Sequence, residues 1–471
     1  MATIPDYTAI NSATSQPREL FLFPCNIAIL QVAQTYHNHH GFLWFDSARD
    51  GHLLNRFSYV MWGPEQVKIF EDGEAFESHS FPCYDCRPPG QNTIKILNSR
   101  DDLHLNPTIF LGGWAGYWAY DLGESLESKL RQMILPLGKN RAPYPLAQFG
   151  FYTQFFIHDH GAQKTWFGVY AVDETAANNL YQNFESDLLQ SHRKSTSPTI
   201  QRLSFYAQIT RDEYLSHVEK IIDLIFAGEV FQANFAQQFC ASTPKNYDPF
   251  AAYLNLRVIN PAPYAAYMNW GDLKILSASP ESFLEISSNG HAVTRPIKGT
   301  AHDLNSLKHS EKDRAENLMI VDLMRNDFSK ICDFQSVTVE KIFEIQKFAG
   351  LYHLVSEVHG NIAPKNTSLS LLKSCFPGGS ITGAPKIRAM EIIAQHECFT
   401  RGVYCGSLGW VGIDGALQTN IAIRTLTHHQ NTMTFCVGGG ITACSNAAAE
   451  YAETRLKAQK IFEALGDLSA L

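Results

Sequence analysis

Thr210 to Phe239 constrains the fold more tightly than any other stretch of the chain. Thr210-Arg-Asp-Glu213 has the spacing of a capping box, the signature of a helix start. Tyr214, Val218, Ile221, Ile222 and Ile225 then fall on one helical stripe, and Gly228 ends it. Glu229–Phe239 follows as an alternating strand, with Phe231, Ala233 and Phe235 on one face and Gln232 and Asn234 on the other. Two polar residues on a face that reads as buried need partners, either structural hydrogen bonds or a ligand. Helices and strands continue from there to the C-terminus without the regular βαβ rhythm of a doubly wound parallel sheet. The expected fold is therefore α+β, with layered mixed β-sheets flanked by helices.

The first half reads differently. Leu20–Leu30, Phe42–Phe45 and Phe57–Trp62 are apolar segments broken by Pro24, Gly41 and Asp50-Gly51, a pattern of strands and turns around one helix. Leu111–Tyr120, rich in glycine and aromatics, fits closely packed strands or turns. Phe149–Ile157 and Lys164–Val172 read as paired strands, and Glu174–Gln190 as a helix. The polar, aperiodic Ser191–Pro198 is the best boundary, separating an N-terminal region, 1–190, from a second region, 205–465.

Composition excludes several function classes. A net charge of −8 with no basic run argues against a nucleic-acid footprint. No apolar run reaches the ~18 residues of a membrane span, and Met1–Asp6 lacks the start of a secretory signal. A cytoplasmic protein with reduced thiols is expected. The single CxxC, Cys83 to Cys86, has no second pair and is expected to be unligated, and His37-Asn-His39-His40 lacks an ordered ligand spacing and reads as a polar loop.

The chemistry concentrates in Arg295–Asp327. A β-type segment, His291–Thr294, runs into Pro296 and Gly299, which places Lys298 at a strand end. The helix that follows carries Asp313 and Glu316 three apart on one face. From Leu318 to Met324 only Asp322 is polar, which predicts burial on nearly every side. Phe376–Arg388 is a glycine-rich loop opening a helix, with Pro385 suited to its first turn. It departs from a Walker A loop because Ala384 and Pro385 separate Gly383 from Lys386, so carboxylate binding is retained and nucleotide triphosphate rejected. Cys436–Ile441 reads as a bare-backbone turn after a strand, and the next helix carries Glu450 and Glu453, again three apart. Two acidic helix faces with few carboxylates suit Mg²⁺, which takes oxygen ligands and leaves room for substrate. HExxH, GxSxG and a zinc-type cysteine quartet are absent from the sequence.

Glu229–Phe239, Ser279-Pro-Glu281, Arg295–Thr300, Asp313–Asp327, His353–Ser356, Pro377–Arg388, Tyr404–Gly409, Asn420–Thr425 and Gly438–Ile441 together resemble the chorismate-utilising enzymes. That family includes anthranilate synthase component I, aminodeoxychorismate synthase component I, isochorismate synthase and salicylate synthase. The resemblance spans residues 205–465 in consistent order and is weaker over 1–190. One departure is the segment after Thr300, where Ala301-His-Asp replaces the Pro-Arg-Gly-type loop frequent in the family, and no role follows for 301–309.

Two positions discriminate among the activities. Gln232 stands where the water-adding members carry a lysine base, and a neutral amide cannot serve as a general base. Lys298 fills the variable position of the family's Pro-Ile-x-Gly-Thr motif, where anthranilate-forming members typically carry alanine and aminodeoxychorismate-forming members lysine. The resemblance therefore implies a transferase that aminates chorismate to 4-amino-4-deoxychorismate, on the way to p-aminobenzoate and folate. Lys298 would be the nucleophile and Glu281 the acid that protonates the leaving hydroxyl. Glu316 and Glu453, supported by Asp313 and Glu450, would hold Mg²⁺ against the ring carboxylate. Arg424, Tyr404 and the backbone of Gly438, Gly439 and Gly440 would fix the enolpyruvyl carboxylate, and Thr300 and His353 would line the site. No glutaminase nucleophile turn is present in the sequence, so ammonia should come from a separate glutamine amidotransferase subunit. The rival readings are an anthranilate synthase component I and a non-catalytic binder of chorismate or tryptophan.

Overall fold

The computed structural model describes residues 17–48, 55–82, 94–97, 108–127, 130, 132, 141–191, 201–301, 303–348 and 351–466. The Cys83/Cys86 pair, the Asp50-Gly51 turn and nearly all of the polar Ser191–Pro198 segment lie outside these residues. Among the described residues two β-sheets of 13 and 10 strands carry the fold, and both draw strands from the two regions of the sequence. The larger is joined where Tyr264–Trp270 pairs antiparallel with Phe42–Asp46, and the smaller where Ser407–Gly412 pairs antiparallel with Gly113–Trp118. One parallel pairing, Glu19–Cys25 with Ile94–Ile96, makes the larger sheet mixed.

Apolar side chains from the two sheets meet in one core that includes Leu43, Tyr59, Met61 and Phe155 from the larger and Trp114, Trp118, Phe149 and Trp410 from the smaller. A second core lies under helices Glu174–Ser191, Pro249–Ile259 and Ala447–Leu465. This is the layered α+β arrangement expected from the order of elements. The stretch read as one strand, Phe149–Ile157, is two: Ala147–Tyr152 belongs to the smaller sheet and Gln154–Asp159 to the larger, with Thr153 alone between them. A continuous apolar run does not show where the chain changes sheets, because both faces of both strands are covered. Among the described residues no helix is long and apolar enough to cross a membrane, and no disulfide forms. His37 stacks on Phe250 with ring centroids 4.1 Å apart, a packing role that fits the loop reading of the histidine cluster.

The capping-box helix α1 (Arg211–Phe226) begins as expected, with both reciprocal bonds between Thr210 and Glu213 in place and Tyr214, Val218 and Ile221 buried. It leads into β1 (Gln232–Ser242). Phe231 lies just outside that strand and is exposed, while Gln232 and Asn234 are buried. His291–Thr294 and β2 (Ile297–Ala301) pair in succession along β3 (Leu351–Asn361), so Lys298 is not at a strand end. Pro296 interrupts the ladder for two residues only, and the strand resumes.

Helix α2 (Glu311–Ser329) buries Asn317, Ile320, Val321, Met324, Asp327 and Phe328 along one stripe. Leu318 is half exposed and Asp322 faces solvent, which corrects the expectation of burial on nearly every side. A run of apolar residues had hidden an ordinary amphipathic helix. Pro385 is the residue before α3 (Lys386–His396) rather than in its first turn. The three glycines 438–440 belong to β4 (Thr432–Ile441), where they pair with Ala236, Phe235 and Asn234 of β1; they do not form a turn. Tertiary pairing with a long neighbour outweighs the weak strand propensity of glycine.

Candidate active site

The site begins with a backbone feature. The β2–β3 register shifts between Lys298 and Thr300, which is opposite His353, and Gly299 at the shift has φ +74°. A Cβ there would lie 2.6 Å from Leu307 Cδ1 and 2.8 Å from Asp313 Cγ, so glycine is required both by conformation and by the close approach of α2. The first turn of α2, capped by Ser310 Oγ accepting from Asp313 N at 3.2 Å, is thereby brought against the strand that carries Lys298.

Lys298 Nζ donates to the carbonyl of Ser380 at 3.3 Å. Ser380 sits in a tight turn, Gly379–Ile381, within the glycine-rich loop. Internal bonds hold that loop. Lys386 Nζ binds Asp327 Oδ2 at 2.7 Å and the Cys375 carbonyl at 2.8 Å, Asn234 N donates to Thr382 O, and Arg401 Nη1 donates to Ile381 O. Lys386 is therefore committed to an ion pair with α2 rather than offered to an anion, and the loop acts as a shaped wall. Glu281 is buried beside it, with the Ser380 side chain, Lys298 and Arg424 around its carboxyl. Burial pushes the Glu281 pKa up and prevails over the lowering effects of Lys298, Ser380 and Arg424. A carboxyl whose pKa is raised by burial beside an amine is suited to give a proton to a leaving oxygen.

The two acidic helix faces meet as expected. Glu316 and Asp313 on α2 stand against Glu450 and Glu453 on α4 (Ala447–Leu465), with Lys312 between them. Lys312 Nζ lies 3.9 Å from Glu316 Oε1 and 3.7 Å from Glu450 Oε1. Glu450 also accepts from Ser445 Oγ at 2.6 Å, and Glu453 Oε1 pairs with Lys457 Nζ at 2.8 Å. Lys457 Nζ reaches the Gly438 carbonyl at 2.9 Å. A Cβ on Gly439 would meet Glu450 Oε2 at 3.3 Å and Glu453 Oε1 at 3.8 Å, so the bare backbone keeps that corner open. Burial raises the Glu316 pKa against the pull of Lys298 and Lys312. Burial also acts to raise Glu453, but Lys457, Lys312 and Lys298 bring it below its ordinary value. Among the described residues no three carboxylate, imidazole or thiolate groups close into a metal cage on their own. The four carboxylates could nonetheless offer oxygen ligands to a cation completed by water or substrate.

Lys298 links the two groups, since its charge acts on Glu281, Glu316 and Glu453 together. Arg424 lies between strands Leu417–Asn420 and Thr425–His429 at φ +51°, a strained conformation for a non-glycine residue and one that clusters at functional sites. Tyr404 is buried, 5.8 Å from the Arg401 guanidinium carbon, measured at its ring centre. Three features were not read from the sequence: the part played by Ser380, the counter-charge of Lys312, and the Arg401–Glu397 ion pair behind the loop. Lys312 was the most accessible of these, since it lies four residues before Glu316 and therefore on the same face.

Glu281 yields a first test. Its folded pKa is raised, so its ionised form costs stability once pH exceeds the ordinary carboxylate value, and that cost is full above the folded pKa. Glu281→Gln removes the charge, and is expected to lower kcat roughly 10²-fold while raising Tm at neutral pH. Paired melting curves and steady-state rates check both.

Known proteins are similar to this chain in sequence and in fold. The sequence pattern of the chorismate binding enzyme family matches residues 40–463. An aminodeoxychorismate synthase component 1 from Salmonella typhimurium is 38% identical over 368 residues, covering 76% of this chain and 77% of the relative. An anthranilate synthase component I-like protein from Synechocystis is 36% identical over 421 residues, covering 87% and 81%. The crystal structure of anthranilate synthase component I from Streptococcus pneumoniae superposes with a TM-score of 0.70 at 30% identity, covering 87% of this chain and 93% of that one. With the fold, the order of motifs and nine-tenths of its length accounted for together, the chain belongs to the chorismate binding enzyme family.

Proposed function

We propose that the chain is the chorismate-aminating component of an aminodeoxychorismate synthase, a transferase forming 4-amino-4-deoxychorismate for p-aminobenzoate and folate synthesis in the cytoplasm. The observation that carries this reading is Lys298, set between the buried Glu281 and the carboxylates of α2 and α4. The Salmonella relative, a component 1 of this enzyme, supports it.

Glu316 and Glu453, with Asp313 and Glu450 behind them, would hold a magnesium ion, which when bound supplies positive charge to the ring carboxylate of chorismate. Arg424, Tyr404 and the Gly438–Gly440 backbone fix the enolpyruvyl carboxylate, for which a guanidinium offers a two-pronged donor. By the resemblance, Thr300 and His353 would line the same space. The amine of Lys298 attacks C2 and gives up a proton, the two conjugated ring double bonds shift, and the C4–O bond breaks as Glu281 gives its proton to the departing hydroxyl. Ammonia then forms a bond at C4 and gives up a proton, the two double bonds shift back, and the C2–N bond to Lys298 breaks as its nitrogen regains a proton. Two displacements replace one difficult substitution, the usual gain from covalent catalysis.

An anthranilate synthase component I is the second reading, favoured by the Streptococcus structure. Product identification separates the two. The purified chain, given chorismate, Mg²⁺ and ammonium, is expected to yield aminodeoxychorismate by mass spectrometry and no anthranilate. Turnover should rise with pH as more free ammonia is present and should not occur with glutamine alone, since a separate glutaminase supplies the nitrogen. Anthranilate as the main product, or glutamine-dependent turnover by this chain, would refute the reading.

A further inference from the structure

Three ammonium groups face the four carboxylates of α2 and α4. The charge of Lys298 acts on Glu316 and Glu453. Lys457, four residues after Glu453 on α4, pairs with it at 2.8 Å and reaches the Gly438 carbonyl at 2.9 Å. Lys312, four residues before Glu316 on α2, lies 3.9 Å from Glu316 Oε1 and 3.7 Å from Glu450 Oε1. Its charge acts on Asp313 and Glu453 as well, so it is placed against all four acids.

Four negative and three positive groups leave a divalent cation little to neutralise. Added alone, it would turn the whole set positive; a substrate carboxylate arriving with it, or the departure of one lysine, restores the balance. We propose that Lys312 is that displaceable charge, a resident counter-cation that competes with Mg²⁺ for Glu316 and Glu450 and swings into solvent when the metal takes their oxygens. The inference rests on the proposed reading of these carboxylates as magnesium ligands, and names the residue that sets how tightly they hold the ion.

Geometry singles out Lys312 among the three. Lys298 donates to the Ser380 carbonyl, and Lys457 makes two contacts of hydrogen-bond length. Both contacts of Lys312 are longer than a hydrogen bond, and its side chain is 47% exposed, so turning toward water breaks no short bond to these acids. Its partners nonetheless belong to different helices, and Glu450 on α4 is buried. A lysine that only decorated the surface of α2 would pair within its own helix; this one draws two acidic faces together, the part a shared metal would take over. The two cannot act at once. A divalent ion on these oxygens would stand within a few ångströms of the ammonium group and repel it more strongly than either carboxylate attracts it.

Lys312→Met keeps the aliphatic stem and removes the charge, and Lys312→Arg keeps the charge. Mg²⁺ is titrated calorimetrically into the full chain after EDTA treatment, without chorismate. Lys312→Met is expected to bind Mg²⁺ at least about tenfold more tightly than wild type, the scale of one or two half-exposed ion pairs given up when the metal enters. Lys312→Arg should bind as wild type does. In EDTA, Lys312→Met should melt below wild type, and a given Mg²⁺ concentration should raise its Tm by more. Lys312→Gln repeats the measurement if the methionine variant does not fold. A folded neutral variant whose Mg²⁺ affinity equals or falls below that of wild type overturns the inference, whatever its Tm, and leaves the magnesium reading intact. If wild type and the neutral variants alike bind no Mg²⁺, with or without chorismate, the magnesium reading itself fails and the role of Lys312 falls with it.

Discussion

Lys298→Ala is expected to slow aminodeoxychorismate formation by about 10³-fold or more, the scale seen when a covalent nucleophile is removed. Chorismate binding should survive, because Arg424 and the Mg²⁺ that the α2–α4 carboxylates would hold, rather than the lysine, provide the affinity. Wild-type protein mixed with chorismate and Mg²⁺ but no ammonia should carry a covalent adduct on the peptide containing Lys298, visible by intact mass and then by peptide mapping. Lys298→Ala should show none. Residual turnover in the variant would report direct attack of ammonia at C4 in the emptied site. Absence of an adduct together with wild-type turnover in Lys298→Ala would reduce the lysine to a charge beside Glu281, and the choice between aminodeoxychorismate and anthranilate would rest on the product alone.

The second large effect concerns the carboxylates. Glu316→Gln and Glu453→Gln are each expected to lose Mg²⁺-dependent turnover by on the order of 10³-fold, since a charged oxygen donor becomes a neutral amide at the point where substrate charge must be balanced. Their stabilities should part. Glu316 has a raised folded pKa, so its ionised form is a liability above the ordinary carboxylate value, and the glutamine variant should melt no lower than wild type at neutral pH. Glu453 has a lowered folded pKa, so it contributes stability above its unfolded value that is lost as pH falls through the folded one; its glutamine variant should melt lower at neutral pH. Melting curves with and without Mg²⁺ measure both. Near-normal turnover in excess EDTA would remove the metal from the reading.

Local chemistry made part of this legible in the sequence. The capping box of α1 and the acidic pairs of α2 and α4 depend on spacings of three and four residues, which a helix converts directly into a shared face. The alternation at Gln232 and Asn234 correctly marked them as buried, and both amide atoms of Gln232 and Oδ1 of Asn234 lack partners among the described residues. The misreadings have a common cause. Gly438–Gly440 read as a turn because their strand conformation is imposed by β1, some 200 positions earlier in the sequence. Lys298 read as a strand end because β3, the strand that carries the ladder past Pro296, comes about 50 residues later. Ser380 and Arg401 act through contacts made by distant segments, and no local pattern announces them.

The two sheets, each completed by strands from both regions, tie this chemistry to the way the chain folds. Cutting between the regions would strip Tyr264–Trp270 and Ser407–Gly412 of a neighbour each, baring long hydrogen-bonding edges of the kind that pair with other molecules. Pairings of such high sequence separation also make assembly slow, because distant segments must meet before either gains stability. The catalytic half therefore carries the N-terminal half as the template on which its own sheets close. A substitution in that half is therefore felt first at the edges it covers.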